Sequence, residues 1–262
     1  MRNAHGEFIW YELITGDPDA ARAFYGSVVG WTIAADAASA GGVEYRTIEA
    51  ADGAAGGMLT MTPDMRANGG RPGWFGYFGV DDVDATAAAI TAEGGEVHMP
   101  PTDIPGVGRI AMVSDPQDMP FYIMRGAMDA VSTAYQRMGA GHVSWNELST
   151  TDDAAALAFY ERRFNIGKIG VMPMGEMGDY SFIANDGKSG QDDAIGAVMK
   201  APPGAPTGWS FYFRVPDIAE SKARIEAGGG RVINGPMDVP GGEKVLQATD
   251  PEGVAFGLVA PQ

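Results

Sequence analysis

Residues 8–25 read FIWYELITGDPDAARAFY, and residues 143–160 read VSWNELSTTDDAAALAFY. The first stretch starts with the two-residue period of a strand and continues with the 3.6-residue period of a helix. Asp17 is placed to cap that helix and Pro18 to occupy its first position, while Gly30 ends it. The apolar face of the predicted helix consists of Ala21, Phe24, Tyr25 and Val28.

The two stretches are copies of each other at a shift of 135 residues, as from Trp10 to Trp145 (145 − 10 = 135), and the match runs along nearly the whole chain. Rare residue types recur at this shift, including Trp74 with Trp209 and the Asp-Pro pairs at 115–116 and 250–251. So many matches at one shift indicate a duplication. We predict a first domain over residues 1–127, a partly helical linker over 128–138, and a second domain over 139–262.

Each copy subdivides into two modules of the order βαβββ. In the first copy, three short strands end near Met61, a polar loop covers residues 63–72, and a second helix runs from Val83 to the Gly94-Gly95 pair. The double glycines, including Gly56-Gly57, are predicted to be turns and helix stops. None of them fits a nucleotide-binding fingerprint.

This layout, with a Phe-Tyr pair in the first helix and an Asp-Pro turn before the last strand of each copy, resembles the vicinal-oxygen-chelate superfamily of glyoxalases, bleomycin resistance proteins and extradiol dioxygenases. The resemblance implies an α+β fold in which four βαβββ modules form two tandem domains with cupped mixed sheets. The WxEL starts also resemble a two-domain branch that includes a mycobacterial 27 kDa antigen and is described as hydroxylase or glyoxalase-like. Asn165-Ile166 replaces Gly30-Trp31 in the second copy, which predicts a different helix exit.

The resemblance also implies a divalent metal held by His, Glu or Gln side chains from four strands of each sheet. Counting from the Phe-Tyr pair and the Asp-Pro turn places these positions at Trp10, Met58, Phe75 and Tyr122, and at Trp145, Ala197, Ser210 and Gly257. Such side chains do not form a metal site. The three histidines, His5, His98 and His142, lie elsewhere. We therefore predict neither a metal nor another cofactor.

Strand alternation places Glu12 beside Trp10 in the first cup, and Glu147 beside Trp145 in the second. A carboxyl group buried in an apolar cup has a raised pKa, which suits a general acid or base. We therefore predict Glu147 and Glu12 as catalytic residues. The alternative is a structural ion pair with Arg109 or Lys244, whose orientation the strand pattern does not fix.

The ligand-binding surface predicted from the same counting includes both cup tryptophans together with Phe75, Tyr122, Ser210, Arg109 and Lys244. Ser210 and Gly257 are smaller than Phe75 and Tyr122, so we expect more open space in the second cup. An open cup is typical of a ligand site, which favours Glu147 over Glu12. Aromatic walls suit a flat or aromatic organic ligand.

The formal charge of −16 arises from 18 basic and 34 acidic residues. It argues against nucleic acids and anionic membranes, and favours a neutral or cationic small molecule. The absence of cysteine excludes disulfides and thiolate catalysis. The first residues enter a strand pattern without a signal-like core, so a cytoplasmic location is expected. The oligomeric state expected is a monomer or a homodimer.

Two functions fit these observations. The first is a metal-independent isomerase, lyase or hydroxylase-like enzyme that uses a cup carboxylate. The second is a non-catalytic protein of the drug-resistance type that sequesters a cationic or aromatic compound. A glutathione-dependent glyoxalase is a weaker third possibility, because that reaction polarises its substrate with a metal. Fold alone does not choose among them.

Overall fold

The computed structural model describes residues 2–36, 38–40 and 42–262. In the first copy the helices are α1 (Pro18–Val28), α2 (Pro63–Ala67) and α3 (Val83–Ala92). The strands of this copy are β1 (Phe8–Thr15), β2 (Thr32–Ile33), β3 (Ala38–Ala40), β4 (Val43–Ala50), β5 (Gly53–Thr60), β6 (Gly73–Gly79), β7 (Glu96–Ile104), β8 (Gly108–Ser114) and β9 (Pro120–Gly126).

The second copy repeats this order with helices α4 (Asp153–Phe164) and α5 (Ile218–Ala227), and 3-10 turns at Gly175–Met177 and Gln191–Asp193. Its strands are β10 (Val143–Thr150), β11 (Ile166–Pro173), β12 (Asp179–Asn185), β13 (Gly196–Lys200), β14 (Gly208–Arg214), β15 (Arg231–Val239), β16 (Glu243–Thr249) and β17 (Ala255–Pro261). None of the helices in the described ranges is long and apolar enough to cross a membrane.

The two sheets have the same topology. The first follows the order β2-β4-β5-β1-β6-β9-β8-β7, with β3 added to β4, and the second follows β11-β12-β13-β10-β14-β17-β16-β15. Each sheet combines parallel pairs, such as β1 with β5 and β10 with β13, with antiparallel pairs, such as β4 with β5 and β12 with β13. The predicted α+β fold of two like copies with mixed sheets is confirmed.

By proximity the chain forms two compact units, and each unit takes one module from each copy. One comprises residues 1–9, 76–132 and 145–210, and the other comprises 10–75, 133–144 and 211–262. In the second of these units, the buried Tyr25 hydroxyl donates to Asp250 Oδ2 (3.1 Å) and accepts from Trp74 Nε1 (3.0 Å). Asp250 also accepts from the backbone N–H groups of Glu252 and Val254.

The first unit contains the matching network. Tyr160 donates to Asp115 Oδ2 (3.0 Å) and accepts from Trp209 Nε1 (3.0 Å), while Asp115 accepts from the N–H groups of Gln117 and Met119. The Phe-Tyr pair of one copy is therefore bonded to the Asp-Pro turn of the other. We call these two networks the Tyr–Asp braces. Burial raises the pKa of Asp115 above the ordinary value, and likewise that of Asp250.

Most local predictions are confirmed. Asp17 accepts from the N–H of Ala20 at the start of α1, and Gly30 follows the helix with φ of +89°. The helix exit of the second copy differs as expected, because Asn165 caps α4 in the left-handed conformation (φ +53°) and β11 begins at the next residue.

Three local predictions are wrong. The loop over residues 63–72 contains α2, which Thr62 caps through the N–H of Met65. The linker over 128–138 is made of bends, a turn and an isolated bridge at Tyr135, without a helix. Gly56-Gly57 lies inside β5 and not in a turn. Position 56 requires glycine for a different reason, because a side chain there would overlap the backbone of β1.

Candidate functional site

Three strands of the second copy bring five side chains to one face. Register pairs Glu147 of β10 with Ala197 of β13, and Ala197 with Phe182 of β12. Tyr180 lies two residues from Phe182 along β12, and Trp145 lies two residues from Glu147 along β10. Because side chains alternate along a strand and register partners share a face, all five point to the same side of the sheet.

A hydrogen-bond chain joins three of these side chains. Trp145 Nε1 donates to Tyr180 Oη (2.8 Å), and Tyr180 Oη donates to Glu147 Oε2 (2.7 Å). The Phe182 ring lies nearly perpendicular to the Trp145 ring (6.0 Å, 77°) and to the Tyr180 ring (5.6 Å, 81°). We call Trp145, Glu147, Tyr180 and Phe182 the Glu147 cluster. All four are half-buried, so they are reachable from solvent.

The first copy contains a related cluster of Trp10, Glu12 and Tyr45, called here the Glu12 cluster. Trp10 Nε1 donates to Tyr45 Oη (2.8 Å). Burial, and then the charge of Glu12, raise the pKa of Tyr45. Gly57 is paired with Glu12, and a Cβ added there would overlap the Tyr45 hydroxyl. The glycine therefore allows the tyrosine to lie across the sheet towards the carboxylate.

The two glutamates differ in exposure. Glu12 is only 3% exposed, whereas Glu147 is half-buried. In the first copy, the buried Tyr122 stacks on Tyr77 (4.3 Å, 14°), which fits the prediction that aromatic rings fill this region. Phe75 and Ser210, predicted as ligand contacts, are both half-buried.

The open space expected beside Gly257 is a wrong prediction. A Cβ added to Gly257 would overlap the Tyr212 ring, so that ring covers the glycine. The register also corrects one inherited position. Met58 pairs with Leu13, so Gly57 is the residue of β5 beside Glu12. In the second copy Ala197, the matching inherited position, pairs with Glu147.

Arg109 and Lys244 form ion pairs with carboxylates other than those of Glu12 and Glu147. Arg109 binds Asp84 of α3 (2.6 Å) and its cross-strand neighbour Asp103 (3.1 Å). Lys244 binds its own cross-strand neighbour, Asp238 (2.8 Å). The predicted alternative, in which these cations neutralise Glu12 and Glu147, is therefore wrong, and a role of either cation in ligand binding stays a prediction.

The side chains at the inherited metal positions do not fit a divalent ion. Of the eight positions, Tyr122 and Ser210 carry only a neutral hydroxyl and Met58 only a thioether, and none carries the carboxylate, amide or imidazole group that such an ion needs. Over residues 2–36, 38–40 and 42–262, no three His, Asp or Glu side chains converge to hold an ion. His5 Nε2 donates to the carbonyl oxygen of Arg163 (2.8 Å), and the buried His142 contacts Asp52 (2.7 Å).

We predict that the protein, purified without immobilised metal or chelator, contains less than about 0.1 equivalent of zinc, iron, nickel or manganese, because the family's donor positions lack ligands. Inductively coupled plasma mass spectrometry measures this. Stoichiometric metal that disappears in His5→Ala or His142→Ala would contradict the prediction.

Sequence reasoning missed both tyrosines and Phe182. A signal for the tyrosines was present, because Tyr45 and Tyr180 match at the same shift of 135 residues (180 − 45 = 135) that relates the tryptophans. Phe182 has Thr47 at its matched position, so the repeat does not mark it. Its place beside Ala197 depends on the pairing of β12 with β13.

Comparison with known proteins supports the family resemblance. The profile of the Glyoxalase/Bleomycin resistance protein/Dioxygenase superfamily matches residues 7–121 and 139–258. A Mycobacterium tuberculosis protein named "Putative glyoxylase CFP32" is 33% identical over 96% of this chain and 94% of its own length. "Anthracycline biosynthesis protein DnrV" of Streptomyces peucetius is 29% identical over 98% of this chain and 94% of its own length.

Solved structures show the same fold at low sequence identity. The Mn(II)-bound glyoxalase from Novosphingobium aromaticivorans superposes with a TM-score of 0.64 at 16% identity, covering 98% of this chain and 82% of its own. The 2,2',3-trihydroxybiphenyl 1,2-dioxygenase from Sphingomonas wittichii gives 0.65 at 10% identity, covering 98% and 91%. The chain belongs to the glyoxalase, bleomycin resistance protein and dioxygenase superfamily, and it carries two copies of that family's domain.

Proposed function

We propose that the chain binds a small aromatic molecule against the Glu147 cluster, and that Glu147 takes a proton from this molecule in a metal-independent isomerase or lyase reaction. The observation that carries the proposal is the Trp145–Tyr180–Glu147 hydrogen-bond chain on a solvent-reachable face. A carboxylate held by a fixed hydroxyl is positioned as a general base.

The reaction class follows from what a carboxylate can do alone. It can remove a proton from a carbon next to a carbonyl group and return it to another atom of the same molecule. Such a shift moves a double bond without an external oxidant or reductant. Isomerisation and elimination therefore need no partner beyond the residues of the cluster, whereas a hydroxylation needs an electron donor and oxygen.

A second candidate is sequestration of the ligand without turnover. The net charge of −16 favours it for a cationic compound, because the surrounding field attracts cations whether or not a reaction follows. Both candidates place the ligand on the same face, so they share their binding test and differ only in the fate of the ligand.

The relatives point to a class of aromatic ligand. DnrV, and DauV of Streptomyces sp. strain C5, are both named for anthracycline biosynthesis and match this chain over 98% of its length. Anthracyclines are planar and polycyclic, and half-buried rings such as those of Trp145 and Phe182 provide apolar walls for such molecules.

The test is a fluorescence titration with doxorubicin, an anthracycline that carries an amino sugar. We expect saturable binding with a Kd below about 50 μM, since a stacked aromatic contact with a charged hydrogen bond gives at least ~6 kcal/mol. Incubation followed by mass spectrometry and absorbance spectroscopy then separates turnover from sequestration. Absence of binding by doxorubicin and by its uncharged aglycone would contradict the proposal.

A glyoxalase assay with methylglyoxal and glutathione is the matched negative experiment. We expect no turnover with or without added Mn(II), because the cluster lacks the donors that such an ion needs. Turnover that requires Mn(II) would replace the proposed function with a metal-dependent one.

A further inference from the structure

The donors of the Glu147 cluster are all used inside the cluster. Trp has one polar hydrogen, on Nε1, and here it goes to Tyr180 Oη. Tyr has one polar hydrogen, on Oη, and here it goes to Glu147 Oε2. An ionised carboxylate has none, and Phe182 has no polar group. Whatever else these side chains touch, the polar atoms they present to a ligand can only accept.

We infer that this face recognises its ligand through an N–H⁺ or O–H group, as in an aromatic amine or a phenol, and discriminates against carboxylates. This inference rests on the proposed function and identifies the polar group of the ligand. Tyr180 is the residue that sets the selectivity. Its hydroxyl oxygen accepts the hydrogen bond from Trp145 Nε1, and its hydroxyl group donates to Glu147 Oε2. Trp145 is a positioning residue that fixes the Tyr180 hydroxyl.

The rings around the carboxylate support the same chemistry. Phe182 lies nearly perpendicular to both the Trp145 and the Tyr180 rings, so differently directed aromatic faces share the side of the sheet that carries Glu147. Aromatic faces attract ammonium groups through the negative potential above the ring, and tryptophan does so most strongly. An ammonium group placed there would interact with ring faces and with Glu147 at once.

Three probes with one ring system test the inference: 1-naphthylmethylamine, 1-naphthol and 1-naphthoate. Their affinities are measured by isothermal titration calorimetry at pH 7.5 in 0.5 M NaCl. The high salt matters because the protein's overall charge also repels the carboxylate, and salt screens that general effect. We expect the amine and the naphthol to bind at least about tenfold more tightly than the naphthoate.

Tyr180→Phe is the decisive variant. It leaves the Trp145 N–H without its acceptor, so the cluster gains a donor, and we expect the naphthol-to-naphthoate affinity ratio to fall at least about threefold. Phe182→Leu is the matched control. It removes an aromatic wall without changing any hydrogen bond, so the affinities of 1-naphthol and 1-naphthoate should fall by a similar factor and their ratio should stay unchanged, while the amine also loses the attraction of the ring. Thermal unfolding confirms that each variant is folded.

The outcomes separate this inference from the proposed function. If naphthoate binds as tightly as the amine while Glu147→Gln still weakens amine binding, the site stands and the selectivity is wrong. An unchanged ratio in folded Tyr180→Phe also overturns the assignment of Tyr180. If none of the probes binds below about 1 mM, the inference fails, and the doxorubicin titration decides the proposed function by itself.

Discussion

Asp250→Ala is expected to lower the free energy of unfolding by about 3 kcal/mol, and Asp115→Ala by a similar amount. Asp250 is 4% exposed and Asp115 is 1% exposed. Each accepts one tyrosine hydroxyl and two backbone N–H groups, so alanine leaves three donors without their acceptor. Loss of acceptors inside the protein costs more than the bonds contribute, because the donors stay desolvated.

Urea unfolding followed by circular dichroism measures the effect. Tyr25→Phe removes two bonds of the brace, the one that the hydroxyl donates to Asp250 and the one that it accepts from Trp74, and should cost about 1–3 kcal/mol. Asp36→Ala, at an exposed bend, is the control and should change stability by less than about 0.5 kcal/mol. A cost below about 1 kcal/mol for both Asp115→Ala and Asp250→Ala would show that the Tyr–Asp braces are incidental.

The pH dependence of the same variants gives a second measurement. Burial, the largest cause, raises the pKa of Asp250 above its ordinary 3.8. A carboxyl group whose pKa is raised by folding stabilises the protein fully below the unfolded pKa, and this stability is lost as the pH rises through the folded pKa. The destabilisation by Asp250→Ala should therefore be larger near pH 4, close to the unfolded pKa, than at pH 8. The opposite trend would mean that the ionised carboxylate makes the stronger brace.

The duplication and the helix caps could be predicted because their signals are local. Asp17 acts on an N–H three residues away, and Gly30 needs only its own positive φ. The linker was predicted wrongly because its contacts are distant. Ser132 Oγ donates to Ile9 O (2.5 Å) and Thr133 Oγ1 donates to Ala54 O (3.0 Å), so these side chains bond to strand carbonyls instead of supporting a helix.

In the candidate site, too, the local features could be predicted from the sequence and the features that depend on distant contacts could not. Alternation along one strand correctly placed Trp145 and Glu147 on a common face. Tyr180 joins them from 35 residues away (180 − 145 = 35), through pairing of β12 with β13 and of β13 with β10. Sequence periodicity gives the face of a strand but not its register with another strand. For the same reason the sequence does not predict which way the Arg109 side chain points. Its cross-strand neighbour, Asp103, is known only from the register of β7 with β8.

Glu147→Gln and Glu12→Gln are expected to have opposite effects, and this comparison tests which copy carries the site. Glu147 is half-buried and accepts a hydrogen bond from the Tyr180 hydroxyl. Replacing its charge removes a charge-assisted bond worth about 1.5–3 kcal/mol, which corresponds to roughly a 10- to 100-fold loss of affinity for a cationic or phenolic ligand. The fold should lose little stability, or gain some, as is common when a functional carboxylate is neutralised.

Glu12 lies in a packed environment at 3% exposure, between Trp10 on the same strand and Gly57 on the next. An amide there replaces an acceptor oxygen with a donor that cannot reach water, so Glu12→Gln should lower the free energy of unfolding by about 1–3 kcal/mol and leave doxorubicin affinity within about twofold. Both variants are isosteric with glutamate, so each serves as the control for the other. Doxorubicin titration and urea unfolding on both give a two-by-two comparison. If folded Glu12→Gln abolishes binding while Glu147→Gln only weakens the fold, the ligand site belongs to the first copy, and Tyr45 takes the role proposed for Tyr180.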